Sequence, residues 1–242
     1  MWPFGGKKSL EQTGLLSGYT DWHCHLLPGV DDGVGTLEET LEILRLYESL
    51  GVARVYLTPH VMEDMPNTPD DLSKRFAELQ KAYSEAGGKI ELHLAAENML
   101  DCLFEDRFDK GEVLTLGEGR LLVETSYFTP PMNFHALLEH IKSKGYFPVL
   151  AHPERYIYMD EKEYKSLKEM GIRFQLNWYS PVGIYGPEVK KKSEWLLAHG
   201  FYDLSGSDTH RLRILRSALS HEALRGSTVA RMEALMRGGP GE

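Results

Sequence analysis

Residues 20–35 read TDWHCHLLPGVDDGVG. A strand-like run ends in two histidines, His23 and His25, one residue apart. A glycine-bounded turn carrying Asp31 and Asp32 follows. In an open doubly wound α/β sheet the first strand leads into a G-x-G-x-x-G turn that cradles phosphate. This turn lacks that spacing and carries acids where a phosphate would sit. The stretch therefore favours a closed β/α barrel, and it leaves open which partners its imidazoles and carboxylates meet.

The chain outside this stretch repeats one unit. Apolar runs of strand length recur as GYTDWHC, VARVYLTP, KIELHLAAEN, RLLVETS, FPVLAHP, IRFQLNW and FYDLSGSD. Helix-like segments lie between them. In TLEETLEILRLYESLG, Thr36 reads as the N-cap, Glu39 as its capping-box partner and Gly51 as the stop. TPDDLSKRFAELQKAYSEAGG, NFHALLEHIKSKG, DEKEYKSLKEMG, GPEVKKKSEWLLAHG, SALSHEALRG and STVARMEALMRG follow the same pattern. Strands alternating with helices imply a parallel sheet covered by helices. No linker or shift of composition divides the 242 residues. The expected architecture is α/β, a seven-unit TIM-barrel-like barrel. Residues 1–18 read as an N-terminal tail and 19–242 as one domain.

The net charge of −9 argues against a nucleic-acid binder, which shows a basic stripe. No apolar run approaches the ~18 residues of a membrane span. The start, MWPFGGKKSL, has no apolar signal-peptide core. Its Trp2 and Phe4 offer a membrane-surface contact, against which stands the ordinary fraying of a terminus. The two cysteines, Cys24 and Cys102, form no C-x-x-C motif and read as free thiols. Neither is followed by arginine in C-x5-R spacing, since Val30 and Phe108 occupy those positions. A cysteine-based phosphatase is therefore disfavoured.

Reactive groups of a β/α barrel gather at the C-terminal ends of its strands. Read in order, those ends supply His23 and His25, then His60, Glu97, Glu124, His152, Asn177, and finally Asp208 with His210. Alone, each has a bland reading. An H-x-H pair is more often structural than ligating, TPH can simply close a strand, and Glu97 or Glu124 can be solvated. His93 and His135 read as surface or packing residues. It is the shared phase that points to chemistry. One zinc-like ion needs about four ligands, so this many candidates imply two or three ions. Imidazole and carboxylate donors without thiolate suit manganese, iron or zinc.

DWHCH, GVDDG, TPH, AAEN, HPERY and SGSDTH together resemble the PHP superfamily, the polymerase and histidinol phosphatase metal-dependent phosphoesterases. HLLPGVDDGVGTLEETLEI and AHPERY resemble, more narrowly, the CpsB/CapC protein-tyrosine phosphatases of bacterial capsule and exopolysaccharide loci. The resemblance runs from about Tyr19 to Arg213. It implies a distorted seven-stranded PHP barrel and a trinuclear centre, usually of manganese. His23, His25 and Asp208 would hold a first metal, with Glu97 bridging to a second. Glu124 and His152 would complete the second, and Asp32, His60 and His210 the third. Arg155 would grip substrate phosphate from the open barrel mouth, aided by Arg211 or Arg213.

The implied reaction is hydrolysis of phosphotyrosine by metal-activated water. No general acid is assigned, because Asp208 or His210 would have to leave a metal to act as one. The implied substrate is a tyrosine autokinase that controls polysaccharide export, met in the cytoplasm or at the inner face of the membrane. Rival readings are a histidinol-phosphatase-like enzyme, an amidohydrolase-like hydrolase and a non-catalytic metal-stabilised binding module. The short HVMEDMPNTPDD segment leaves the mouth open, which favours a protein substrate.

Overall fold

In a computed structural model, described for residues 6–238, the apolar runs form nine strands. They are β1 (Thr20–Cys24), β2 (Arg54–Leu57), β3 (His60–Val61), β4 (Glu91–Leu94), β5 (Glu97–Met99), β6 (Arg120–Glu124), β7 (Phe147–Ala151), β8 (Arg173–Asn177) and β9 (Leu204–Gly206). All seven strand pairings are parallel, in the orders β1-β2-β4 and β3-β5-β6-β7-β8-β9.

Two of the expected strands are each broken in two, at residues 58–59 and 95–96. Pro59 has no N–H to give the ladder. Backbone bonds from Ala95 to Leu57 (2.9 Å) and from Glu97 to Pro59 (3.1 Å) carry the pairing across the break. His60 and Glu97 therefore open short strands instead of closing long ones. The sheet curls until its ends meet. Asp208 N–H donates to the His23 carbonyl (2.8 Å), and His25 N–H to that of Thr209 (3.0 Å).

Side chains alternate across the curled sheet. Leu121 and Val123 join the main core under the helices, while Leu122 joins a second cluster with Val149, Ala151 and Leu204. Burial on both faces explains why these strands read as unbroken apolar runs. Glu124 continues the Leu122 side. The β1–β2 register shifts between Asp21 and Cys24, and such an irregularity re-aims side chains. Trp22 joins the second cluster, yet His23 meets Gln175 and Glu97.

The helices include Leu37–Ser49, Pro69–Glu85, Phe134–Ser143, Glu161–Glu169 and Pro187–Ala198. Thr36, Thr68 and Asp160 cap three of them through their side chains. The expected capping box is half formed. Thr36 accepts from Glu39 N–H, but the Glu39 carboxylate accepts instead from Leu212 N–H (3.0 Å), at the start of helix Leu212–Ser220. That helix starts before the expected SALSHEALRG and stops at Ser220; another spans Gly226–Gly238.

Part of the expected tail is folded. Helix Leu10–Thr13 carries a complete Ser9/Gln12 capping box, and Leu10, Leu15 and Leu16 are buried in the main core. Their apolar surface is what draws the segment in. Trp2 and Phe4 lie outside the described residues. Among those described, no helix is long and apolar enough to cross a membrane.

Candidate metal centre

The curled sheet brings the nine candidate ligands into one cluster. Around a first point, His23 Nε2 and His25 Nε2 lie 3.1 Å apart, and each lies 3.2–3.5 Å from Glu97 Oε2 and from Asp208 Oδ1. A tetrahedron of ligands ~2.0–2.1 Å from an ion has edges of roughly 3.3–3.4 Å. Around a second, His60 Nδ1 lies 3.2 Å from Glu97 Oε2 and 2.9 Å from Glu124 Oε1, and His152 Nε2 lies 3.1 Å from Glu97 Oε1. Around a third, Asp32 Oδ1 lies 3.5 Å from His60 Nε2 and 3.3 Å from His210 Nε2. His60 thus turns one nitrogen to the second point and the other to the third, where the sequence reading gave it to the third alone.

Some of these atoms are hydrogen-bonded to one another, such as His152 Nε2 with Glu97 Oε1, but three are close without being bonded. His60 Nδ1, Glu97 Oε2 and Glu124 Oε1 are buried and have no hydrogen-bond partner. Orphaned buried acceptors are costly, and a cation would satisfy them. Among the described residues, three combinations meet the spacing for an ion: His23 with His25 and Glu97; His60 with Glu97 and Glu124; and His25 with Asp32, His60 and His210. The donor set fits a metal.

The protonation balance agrees. Burial raises the Glu97 carboxyl, but His23 and His60 outweigh it and hold Glu97 well below the usual carboxylate range. Asp208, buried beside His23 and His210, is held low in the same way. Burial and the neighbouring His25 oppose charge on His60, yet Glu97 and Glu124 push it up to about 9. Protons and cations compete for such a cluster.

Neighbouring groups fix the candidate ligands. His25 Nδ1 bonds Asp31 Oδ2 (2.7 Å), and Asp31 also accepts from the backbone N–H of Gly33 (2.9 Å) and His60 (3.0 Å). His23 Nδ1 bonds Gln175 Oε1 (2.6 Å). These contacts leave both Nε2 atoms free to face the first point. A Cβ on Gly206 would sit 2.4 Å from His23 Cβ and 2.8 Å from its backbone N, so only glycine lets β9 approach β1 at that residue. His152 and Asp208 have positive φ, 34° and 53°, a strained conformation for non-glycine residues that clusters at functional sites.

Above the cluster opens a cavity of about 480 Å³, lined by Asp32, His60, Asp208, Tyr127, Tyr185 and Ile214 among others. Arg155 also lines it, but not as the free mouth residue expected. The guanidinium donates to Asp208 Oδ2 (2.7 Å) and lies between the Tyr127 and Tyr185 rings, 4.4 and 4.2 Å from their centroids. It is only 18% exposed, because the two rings bury its stem and faces. Arg211 donates to the Gly33 and His210 carbonyls, and neither it nor the exposed Arg213 lines the cavity. Backbone acceptors hold Arg211 on the aspartate turn, and Ile214 takes the cavity-facing position.

His93 stacks on Tyr56 and His135 pairs with Glu163, both away from the cluster. Asn177, read only as a strand end, donates to Asp208 Oδ2 (2.8 Å). Gln175, Tyr127 and Tyr185 were not singled out in the sequence. Gln175 was within reach of the strand pattern, since it shares a face with Asn177 two residues on. Cys24 is buried and Cys102 exposed, and both are free. Burial raises the Cys24 thiol and Glu63 raises that of Cys102, so neither is poised as a thiolate nucleophile.

A family model for capsular polysaccharide synthesis proteins, CpsB/CapC, matches residues 19–224. The chain belongs to the CpsB/CapC family. Over 203 residues it is 30% identical to the tyrosine-protein phosphatase CpsB of Streptococcus pneumoniae, covering 79% of this chain and 83% of that protein. It is 28% identical over 208 residues to the tyrosine-protein phosphatase YwqE of Bacillus subtilis, covering 84% and 82%. Among solved structures, one described as YwqE from B. subtilis and CpsB from S. pneumoniae, metal-dependent tyrosine phosphatases, matches with a TM-score of 0.77. Its identity is 26%, over 91% of this chain and 95% of that one.

Proposed function

We propose that this CpsB/CapC protein is a metal-dependent protein-tyrosine phosphatase. The observation that carries the reading is a set of nine imidazole and carboxylate ligands, some buried without partners, beneath a cavity walled by Tyr127 and Tyr185 and closed on one side by Arg155. His23, His25, Glu97 and Asp208 would hold one ion, Glu97, Glu124, His60 and His152 a second, and Asp32, His60 and His210 a third. Manganese suits the donors, with iron or zinc as alternatives. Bound cations would activate water for in-line attack and neutralise the transferring phosphoryl group.

The chain's own residues do the rest. Arg155, fixed in its tyrosine slot, offers planar N–H donors to phosphate oxygens. The aromatic walls accept an aryl ring. Asp31 and Gln175 hold the imidazoles in one tautomer. No general acid is assigned, because Asp208 or His210 would have to leave a metal to act as one. The fold belonging to this reading is a seven-stranded PHP barrel, with each broken strand counted once, and one domain over residues 19–242. The substrate would be a bacterial tyrosine autokinase of polysaccharide synthesis, in the cytoplasm or at the inner membrane face. Metal-loaded protein assayed in parallel on a phosphotyrosine peptide, a phosphoserine peptide and histidinol phosphate tests it. Preference for histidinol phosphate would replace it with the metabolite phosphatase reading.

A further inference from the structure

The segment 125–133, TSYFTPPMN, leaves β6 at the cavity rim. Tyr127 lines the cavity. The next residue, Phe128, is 72% exposed, and Met132 is fully exposed. Ile157 N–H donates to the Tyr127 carbonyl (2.9 Å), which brings Ile157, also exposed, alongside this loop. Three of the five large exposed hydrophobic residues among those described thus lie on two segments tied together at the rim. Single exposed hydrophobics need no explanation, but a group of them beside a site marks an interaction surface.

Beyond Phe128 the loop borders an open groove of about 730 Å³, lined by Pro130, Pro131, Phe134 and Tyr158. Its charged lining is Asp160, Glu163 and Lys162, with His135 paired to Glu163. This is no basic trap for an acidic peptide or an anionic lipid surface. The apolar contacts on offer are those of Phe128, Met132 and Ile157 at the rim. An extended peptide advances about 3.3 Å per residue, so residues two or three positions from one seated in the cavity reach roughly 7–10 Å across the rim. A small metabolite has nothing to place there.

We propose that Phe128, Met132 and Ile157 form a subsite for apolar residues flanking the phosphotyrosine of a polypeptide substrate. The proposal rests on the tyrosine-phosphatase reading above. The surface is continuous with the cavity through Tyr127, and its occupant is the substrate's own flank. It selects among phosphotyrosine sites without touching the reacting atoms.

The test compares two phosphotyrosine peptides of equal length and charge, one flanked by leucine and phenylalanine, the other by serine and glycine. Metal-loaded wild type and a Phe128→Ser/Met132→Ser/Ile157→Ser variant are assayed on both and on para-nitrophenyl phosphate. Wild type should favour the apolar peptide about tenfold in kcat/KM, which corresponds to ~1.4 kcal/mol, mainly through KM. The variant should lose that preference and keep its aryl phosphate turnover within about twofold, which also shows that it is folded. Equal kcat/KM on the two peptides in wild type overturns the subsite and leaves the phosphatase reading intact. A wild-type dimer in sedimentation that the variant dissolves overturns it by giving the surface to a second copy. No hydrolysis of any phosphotyrosine or aryl phosphate by metal-loaded wild type overturns the phosphatase reading, and the subsite falls with it.

Discussion

Replacing Arg155 separates its two jobs. The guanidinium neutralises Asp208 Oδ2 and fills the slot between Tyr127 and Tyr185. Deleting one partner of a buried ion pair costs about 3–5 kcal/mol. Here Arg155 keeps some solvent contact, and Asn177 still donates to the same oxygen, so about 2–3 kcal/mol is expected for Arg155→Ala. At roughly 2–4 °C per kcal/mol for a chain of this size, Tm should fall by about 5–10 °C. Arg155→Lys keeps the charge but loses planar stacking on two rings, each worth about 0.5–1 kcal/mol, so its Tm should fall by a few degrees. A residue free at the mouth would leave Tm unchanged. Metal content should persist in both variants, because Asp208 Oδ1, not Oδ2, faces His23 and His25. Lysine also lacks the fork that matches phosphate oxygens. With metal retained, kcat/KM on a phosphotyrosine peptide should drop at least about tenfold for lysine and further for alanine. Calorimetry, elemental analysis and steady-state kinetics on the same preparations read the three quantities. Near-wild-type turnover in Arg155→Ala would refute the phosphate-binding role, and an unchanged Tm would refute the slot.

Asp31→Asn should weaken metal binding about 10–100-fold, the usual effect of losing a group that orients a ligand; competition with a chelating dye measures it, and unchanged affinity would remove Asp31 from the support of His25. Chelation should abolish aryl phosphate hydrolysis and manganese should restore it, with two to three ions per chain by elemental analysis, whereas Cys24→Ser and Cys102→Ser should stay active; loss of activity in Cys102→Ser with metal retained would falsify the metal route. The metal-free protein should lose stability as pH rises. His60 is raised from 6.5 to about 9, so its contribution is complete below pH 6.5 and gone above pH 9, worth up to about 3 kcal/mol at 1.36 kcal/mol per pH unit. Thermal scans in chelator across that window test this, and a flat or rising Tm would refute it.

The clustering of the candidate ligands was legible because the curled parallel sheet converts sequence phase into position. His23, Glu124, His152 and Asp208 each sit at or just past a strand end, where an unbroken apolar run stops. What escaped was set by long-range contact. Gln175 is an ordinary strand residue until His23, 152 positions away, meets it. Arg155 looked like a mouth residue because nothing in HPERY reveals the rings of Tyr127 and Tyr185. Helix Phe104–Asp109 has no side-chain cap, so it offered no start signal. Leu10, Leu15 and Leu16 looked like a tail because the Ser9/Gln12 capping-box signal opens a helix of only four residues, too short to show an apolar period. The breaks at residues 58–59 and 95–96 left no apolar gap to read, although Pro59 marked one of them.

The hydrogen bonds between the ends of β1 and β9 have a consequence for biosynthesis. A polypeptide emerges from its N-terminus, so His23 and His25 leave the ribosome long before Asp208 and His210. Until those last residues arrive, the early imidazoles stand at an open seam without the candidate ligands of the closing edge. On the proposed reading, metal capture is thereby tied to completion of the chain, because a product truncated before β9 lacks Asp208 and His210.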